Sequence, residues 1–160
     1  MTADEQHAYY IGRSIEIATA NVASGRGGPF GAVIVRDGEV IAEGWNEVTS
    51  SNDPTAHAEI VAIRAACKKL GTWVLTGCDI YTSCEPCPMC LGAIYWARLR
   101  RMYYANTREE AAVAGFDDAF IYDEMPLKPE ARKIPGAKLS HPDMELAFQE
   151  WIKKPDKIRY

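Results

Sequence analysis

His57-Ala58-Glu59 and Pro86-Cys87-Pro88-Met89-Cys90 stand well apart along the chain, yet their chemistry has a common meaning only if they meet. One imidazole and two thiolates can fill three of the four tetrahedral positions of a zinc ion. The fourth is then left for water, and Glu59 supplies a carboxylate two residues from the histidine. Three protein ligands, an open position and an acid/base group describe catalytic zinc, whereas structural zinc is usually closed by four ligands. A fold that honours this must bring two distant helix starts to one point. The sequence offers both. Asp53-Pro54-Thr55 reads as an N-cap and a helix-opening proline, followed by Ile60, Val61, Ile63, Ala66 and Leu70 near helical spacing. Cys87-Pro88 opens a second helix through Leu91, Ile94 and Trp96. The positive end of a helix dipole favours thiolate over thiol.

Each fragment has a plainer reading by itself. A lone His-x-Glu arises often on a solvated helix face, and a lone C-x-x-C serves redox chemistry or half of a structural site. Cys84 lies three residues before Cys87 and could complete a four-ligand structural site. A free cysteine more commonly behaves as a small buried hydrophobe, which is the reading taken here for Cys84, Cys67 and Cys78. The Gly25-Arg26-Gly27-Gly28-Pro29 stretch invites a phosphate-loop reading but lacks the Gly-Lys-Ser/Thr ending. It is read as a tight connection that sets Phe30 near a pocket or in the core.

The 160 residues, 48% hydrophobic and 25% charged, suit one soluble domain. No stretch is long and apolar enough to cross a bilayer, and the start lacks a basic-then-apolar leader, so a cytoplasmic protein is expected. Five cysteines, three of them in one short motif, point to a reducing compartment and metal binding. A net charge of −4 gives no general attraction to nucleic acid, and the basic clusters Arg98, Arg100, Arg101 and Lys153, Lys154, Lys157, Arg159 read as solvated faces.

Along the chain, Glu5 to Ser24 reads as an amphipathic helix with Tyr9, Ile15, Ile17, Ala18 and Val22 among its apolar positions. A strand from Phe30 to Arg36, an Asp37-Gly38 hairpin turn and a return strand from Glu39 to Gly44 follow. The segment from Trp45 to Thr55 is polar and loop-like. Then come the histidine helix, a strand near Asp79 to Thr82, the cysteine helix, a strand near Arg101 to Ala105 and a short helix from Thr107 to Ala114. This order implies an α/β fold, a mixed sheet with helices on both faces. Asp143 to Ile152 is a further helix candidate with Met144, Ala147, Phe148 and Trp151 on one face.

The paired motifs resemble the zinc-dependent nucleobase deaminases. Gly28-Pro29-Phe30-Gly31-Ala32, the run from Asn52 to Glu59, the run from Thr82 to Arg98, and Ala114-Gly115-Phe116-Asp117-Asp118 are more narrowly similar to the small, cytidine-deaminase-like guanine deaminases of bacteria. The likeness extends to the basic tail ending at Tyr160. It implies a three-layer α/β/α cytidine-deaminase-like fold with a mixed sheet of about five strands. It also implies one Zn2+ per subunit on His57, Cys87 and Cys90, and hydrolysis of a purine base, guanine, to xanthine and ammonia. Chemically, zinc makes hydroxide available near neutrality, and Glu59 can carry its proton to the ring and then to the leaving amine. By the same resemblance Asn46 and Phe30 contact the base, Asp118 assists proton transfer, and Tyr160 closes the pocket. A single deaminase domain over residues 1–160 is implied, forming a homodimer in which the segment from about 125 to 160 is exchanged.

The residues alone leave alternatives at several of these positions. Asn46 also reads as a turn residue, Asp117-Asp118 as a cap for Ala119 to Tyr122, and Tyr160 as a plain chain end. Tyr95 and Trp96 suit core or a dimer surface. A tRNA adenosine deaminase shares the zinc chemistry but needs a nucleic-acid surface. Another aminated heterocycle could replace guanine, and a zinc-stabilised interaction module without turnover stands as the non-enzymatic reading.

Overall fold

The computed structural model describes residues 1–160 in two compact units, Met1–Ala119 and Phe120–Tyr160. The first is built on a four-stranded sheet of order β2-β1-β3-β4, with β1 Gly31–Arg36, β2 Glu39–Trp45, β3 Asp79–Cys84 and β4 Arg101–Asn106. β1 runs antiparallel to both β2 and β3, and β3 runs parallel to β4. The mixed sheet matches the expected class with four strands against about five. After Asn106 the chain turns into the short helix α5, Arg108–Val113, and adds no further strand.

Period-two alternation divides the core into two faces. Ala32 and Ile34 of β1 and Ile80 of β3 join Ala58, Ala62, Ala66 and Ile94 on one side. Val33, Val35 and Tyr81 join Tyr10 and Ile17 on the other. The first side is covered by α3, Ala58–Leu70, and α4, Pro88–Trp96; the second by α1, Ala3–Ser24. The Asp37-Gly38 turn forms as expected, with φ of 52° and 82°, the positive pair that a tight hairpin requires. α1 starts in a capping box between Thr2 and Glu5.

The inner faces of the helices differ from the hydrophobic pattern. On α1 the buried positions are Tyr10, Ser14, Ile17, Ala18 and Asn21, while Tyr9, Ile15 and Val22 are exposed. On α3 the sheet-facing stripe is Ala58, Ala62 and Ala66, and the bulkier Ile63 and Leu70 pack beside it. The reason is distance. A Cβ on Gly44 of β2 would meet the Ala58 carbonyl oxygen, the Ala62 nitrogen at 2.5 Å and the Ala62 Cβ at 2.9 Å. Small residues on both sides let the start of α3 lie directly on β2, and that start carries the site.

The helix also begins later than the Asp53-Pro54 pattern suggested. Asp53 Oδ1 instead accepts from the Thr55 nitrogen at 2.8 Å and the Thr55 hydroxyl at 2.7 Å. This local side-chain turn competes with helix, and the N-cap becomes His57. Within the expected loop, Val48–Ser51 forms a one-turn helix, α2.

The second unit contains the end of α6, Ala119–Glu124, a 3-10 turn at Pro129–Ala131, and α7, Leu146–Lys153. Arg132 donates to the Leu127 and Met125 carbonyls at 3.1 and 3.2 Å, and Lys157 Nζ donates to the Ile152 carbonyl at 2.6 Å, closing the end of α7. Leu146, Phe148, Trp151 and Ile152 are exposed. No helix is long and apolar enough to cross a membrane.

Gly44→Ala is expected to destabilise the protein by about 1–3 kcal/mol, the range for overpacking. Urea unfolding checks this, and an unchanged midpoint contradicts the close α3–β2 approach.

Candidate metal centre and its pocket

Strand register delivers the site to one end of the sheet. Gly31 pairs with Trp45 across β1 and β2, so Phe30, just before β1, faces Asn46, just after β2. The Asn46 nitrogen donates to the Phe30 carbonyl at 3.3 Å. On the parallel side Cys84 pairs with Asn106, which sets the connections that follow side by side. The Glu85 nitrogen donates to the Asn106 carbonyl at 2.8 Å, and the Glu85 carboxylate accepts from the Arg108 nitrogen at 3.1 Å. Between these two corners open the N-termini of α3 and α4.

His57 is the N-cap of α3 and Cys87 the N-cap of α4, with Cys90 in the first turn. His57 Nδ1 lies 3.5 Å from Cys87 Sγ and 3.4 Å from Cys90 Sγ. The three donor atoms lie within 4.8 Å of one another. A tetrahedral ion with Zn–N and Zn–S bonds of about 2.05 and 2.3 Å needs an N···S edge of about 3.6 Å. The donors thus have the types and the spacing for such an ion. Cys84 is not in this group. Its sulfur donates weakly to the Thr107 carbonyl at 3.8 Å and burial pushes its thiol up to about 11, so the clustered donor set is the three of His57, Cys87 and Cys90.

The thiols are polarised unequally. Cys87 is pulled down to about 4, first by the hydrogen bond from Cys90 and then by His57, against the effect of burial. Cys90 is pushed up because it shares its proton with Cys87 and is buried. The His57 imidazole is raised by its hydrogen bond to Cys87. A dication among these groups reverses the penalty on a second thiolate.

Glu59 occupies the first turn of α3 and is buried, 8% exposed. That desolvation raises its carboxyl above the ordinary range, the condition in which a carboxyl can hold a proton as well as take one. Glu59, His57 and Cys87 line a cavity of about 560 Å³, within the usual range of about 300–1,000 Å³ for small-molecule sites.

Asn46 and Phe30 line the same cavity, as do Phe116 and Asp118. Asn46 Oδ1 accepts from the Gly28 nitrogen at 3.3 Å and the Val48 nitrogen at 3.1 Å. The amide therefore keeps its NH2 as the end not engaged with these backbone groups. With both lone pairs of its oxygen so engaged, the side chain has its donor end left. The fit is tight, since a Cβ on Gly27 would stand 2.6 Å from Asn46 Oδ1. Phe30 meets Phe116 edge to face, with centroids 4.9 Å apart. Asp118 is half-buried and its carboxyl is raised, chiefly by burial, with Arg108 opposing the shift. Its neighbour Asp117 takes the capping role, accepting from the Ala119 nitrogen at 2.9 Å. Tyr160 belongs to the second unit and is largely exposed.

Three contributors escaped the sequence reading. Phe116 is one wall, Arg108 lines the cavity, and Asn21 on α1 donates from Nδ2 to the carbonyls of Gly28 and Asn46, each at 2.9 Å. The Gly-Phe-Asp-Asp block signalled the first. Only the helical spacing of Asn21 with Ile17 and Ala18 could have signalled the last.

Comparison with known proteins also points to a zinc-binding deaminase domain. Residues 4–106 match the cytidine and deoxycytidylate deaminase zinc-binding region, and the chain belongs to that family. Within it, the chain is 53% identical to the guanine deaminase of Bacillus subtilis, over 96% of this chain and 99% of its relative. The crystal structure of the B. subtilis guanine deaminase superposes with a TM-score of 0.95, covering 96% of this chain and 98% of that one. A guanine deaminase structure from Nitrosomonas europaea gives a TM-score of 0.65 at 36% identity, covering 68% and 63%. A tRNA-specific adenosine deaminase of Agrobacterium fabrum is 55% identical, but over 48% of this chain and 50% of that protein.

Cys90→Ser is expected to weaken zinc retention at least about tenfold, while Cys84→Ser leaves it unchanged. Metal-to-protein ratios after dialysis against a competing chelator decide between them, and equal losses would contradict the three-ligand centre.

Proposed function

We propose that this protein hydrolyses guanine to xanthine and ammonia. The observation that carries the proposal is likeness to a guanine deaminase over nearly the full length of both chains. The likeness to a tRNA deaminase spans only about half of either protein, and the net charge of −4 offers no general pull on RNA.

His57, Cys87 and Cys90 would hold the zinc ion, which when bound supplies a Lewis acid that makes water a nucleophile near neutral pH. Glu59 takes a proton from the attacking water and gives it to the ring nitrogen beside the amino-bearing carbon; it then takes the second proton from the hydroxyl now on that carbon and passes it to the departing amine, so that the C–N bond breaks and the carbon is left as a carbonyl. Its burial raises its affinity for the proton above that of an ordinary carboxylate. Asn46 donates to an acceptor on the base, Phe30 and Phe116 flank the ring, and Asp118 accepts from the base N–H groups and assists proton transfer. The cavity is walled by groups that orient a flat polar ring, and burial of Glu59 and Cys90 limits competing water.

The functional unit in this proposal is a homodimer of one deaminase domain per chain. Tyr95 and Trp96 of α4 and Met102 and Tyr104 of β4 are all exposed, a composition suited to an interface core. The apolar side chains of α7 also need cover. Both features support exchange of the segment from about 125 to 160, with Tyr160 closing the partner's pocket.

Glu59→Gln should retain zinc and lose about 10²–10⁴-fold in ammonia release from guanine. Assay on a panel of free bases, nucleosides and an adenosine-containing anticodon stem-loop checks substrate class, and release from the RNA alone would refute the proposal. Full activity in the variant would dismiss Glu59 as the proton carrier, whereas a protein that releases ammonia from no substrate but unfolds when its zinc is removed would favour a zinc-stabilised interaction module.

Deletion of residues 157–160 should impair turnover and spare the metal. Mixing that truncated chain with the Glu59→Gln chain, through unfolding and refolding, should restore part of the activity, because each supplies what the other lacks. No recovery above the separate proteins contradicts an exchanged tail.

A further inference from the structure

We infer that Asn21 is a positioning residue for base recognition, acting through Asn46. The inference rests on the functional reading above and adds a residue from a helix that does not otherwise reach the pocket. Asn21 is fully buried on α1. Its Nδ2 donates one hydrogen bond to the Gly28 carbonyl and one to the Asn46 carbonyl, both 2.9 Å long. The two acceptors belong to different walls. Gly28 is in the glycine-rich connection before β1, and Asn46 follows β2. Both line the cavity.

A third bond closes the circuit, since the Gly28 nitrogen donates to Asn46 Oδ1 at 3.3 Å. Asn21, Gly28 and Asn46 therefore form a ring in which each touches the other two. The Gly28 peptide carries one of the two N–H groups that aim the Asn46 amide. Asn21 holds the same residue by its carbonyl, in the peptide unit that follows, and holds the Asn46 backbone as well. Loss of the Asn21 amide would release both ends of the fixture at once.

A purely packing role does not account for this side chain. Asn21 Oδ1 is buried with no hydrogen-bond partner, a penalty that an apolar residue of similar size would not incur. The position thus carries an unpaired carbonyl in order to present two N–H groups to the pocket wall. Asparagine is also the residue that fits here. Aspartate offers no donor when ionised, and a longer amide would not fit a fully buried position without displacing its neighbours.

The test is a double-mutant cycle in the full-length, zinc-loaded protein. Asn21→Ala and Asn21→Ser are made alone and on an Asn46→Ala background. KM and kcat for ammonia release from guanine are measured with metal content and thermal midpoint. The expected result for Asn21→Ala is a KM raised about tenfold with kcat changed less than about threefold. On the Asn46→Ala background the same substitution should raise KM no further, because the two act through one contact. Asn21→Ser, which keeps one hydroxyl donor, should fall between.

The same fold-rise in KM on both backgrounds would overturn the inference, as would an unchanged KM. So would a loss of kcat that merely tracks the thermal midpoint. If Asn21→Ala does not fold, Asn21→Ser is read by the same criteria; failure of both makes Asn21 a folding residue and overturns its positioning role. If the unaltered protein deaminates another free purine and not guanine, the functional reading falls while the cycle, run on that purine, still decides the role of Asn21. If it deaminates no base, both fall together.

Discussion

Two helix starts facing one another across less than 5 Å organise this molecule. His57 caps α3 and Cys87 caps α4, and with Cys90 their donor atoms lie within 4.8 Å. Neither helix uses a side-chain cap to satisfy its first turn, so the residues ordinarily spent on stabilising a helix end are given to the centre. The positive ends of both helices favour anionic sulfur and carboxylate there. Burial works in the other direction on Glu59 and Cys90. The centre is therefore poised between a field that attracts negative charge and a setting that penalises it. A dication resolves that opposition.

Everything that positions the two helices serves this meeting. Gly44 and the alanine stripe of α3 remove bulk so that the helix start can rest on β2. Parallel pairing of β3 with β4 fixes the connection that leads to Cys87 against the one that leads to Arg108. Antiparallel pairing of β1 with β2 brings Phe30 and Asn46 to the opposite rim. Strand register sets the two rims of the pocket, and the glycine-rich connection before β1 and residues 115–118 complete its walls.

Most of the metal centre was legible in the sequence because its residue types have few other uses at that spacing. His57, Cys87, Cys90 and Glu59 could be singled out before any fold was known, and the hairpin at Asp37-Gly38 announced itself through its turn residues. The helix start was misplaced because Asp53 can bond Thr55 locally as readily as it can cap. The inner faces of α1 and α3 were misread for a different reason. Hydrophobic pattern reports which residues avoid water, whereas these helices approach the sheet so closely that small and hydrogen-bonded residues go inside. Ser14, Asn21 and Ala62 are buried while Ile15 and Val22 are not. Helical spacing could place Asn21 on the inner face of α1, but its role was not legible, because its partners, two backbone carbonyls, leave no mark in a sequence.

The locked amide of Asn46 has a bearing on inhibitor chemistry. Because two backbone N–H groups occupy its oxygen, the side chain cannot rotate to suit whatever ligand arrives. A compound seated there must turn a lone pair toward it. With Asn46 contacting the base as proposed, heterocycles whose tautomers place hydrogen at that edge are refused even when their outline matches, so screening by shape alone would enrich for molecules this wall repels.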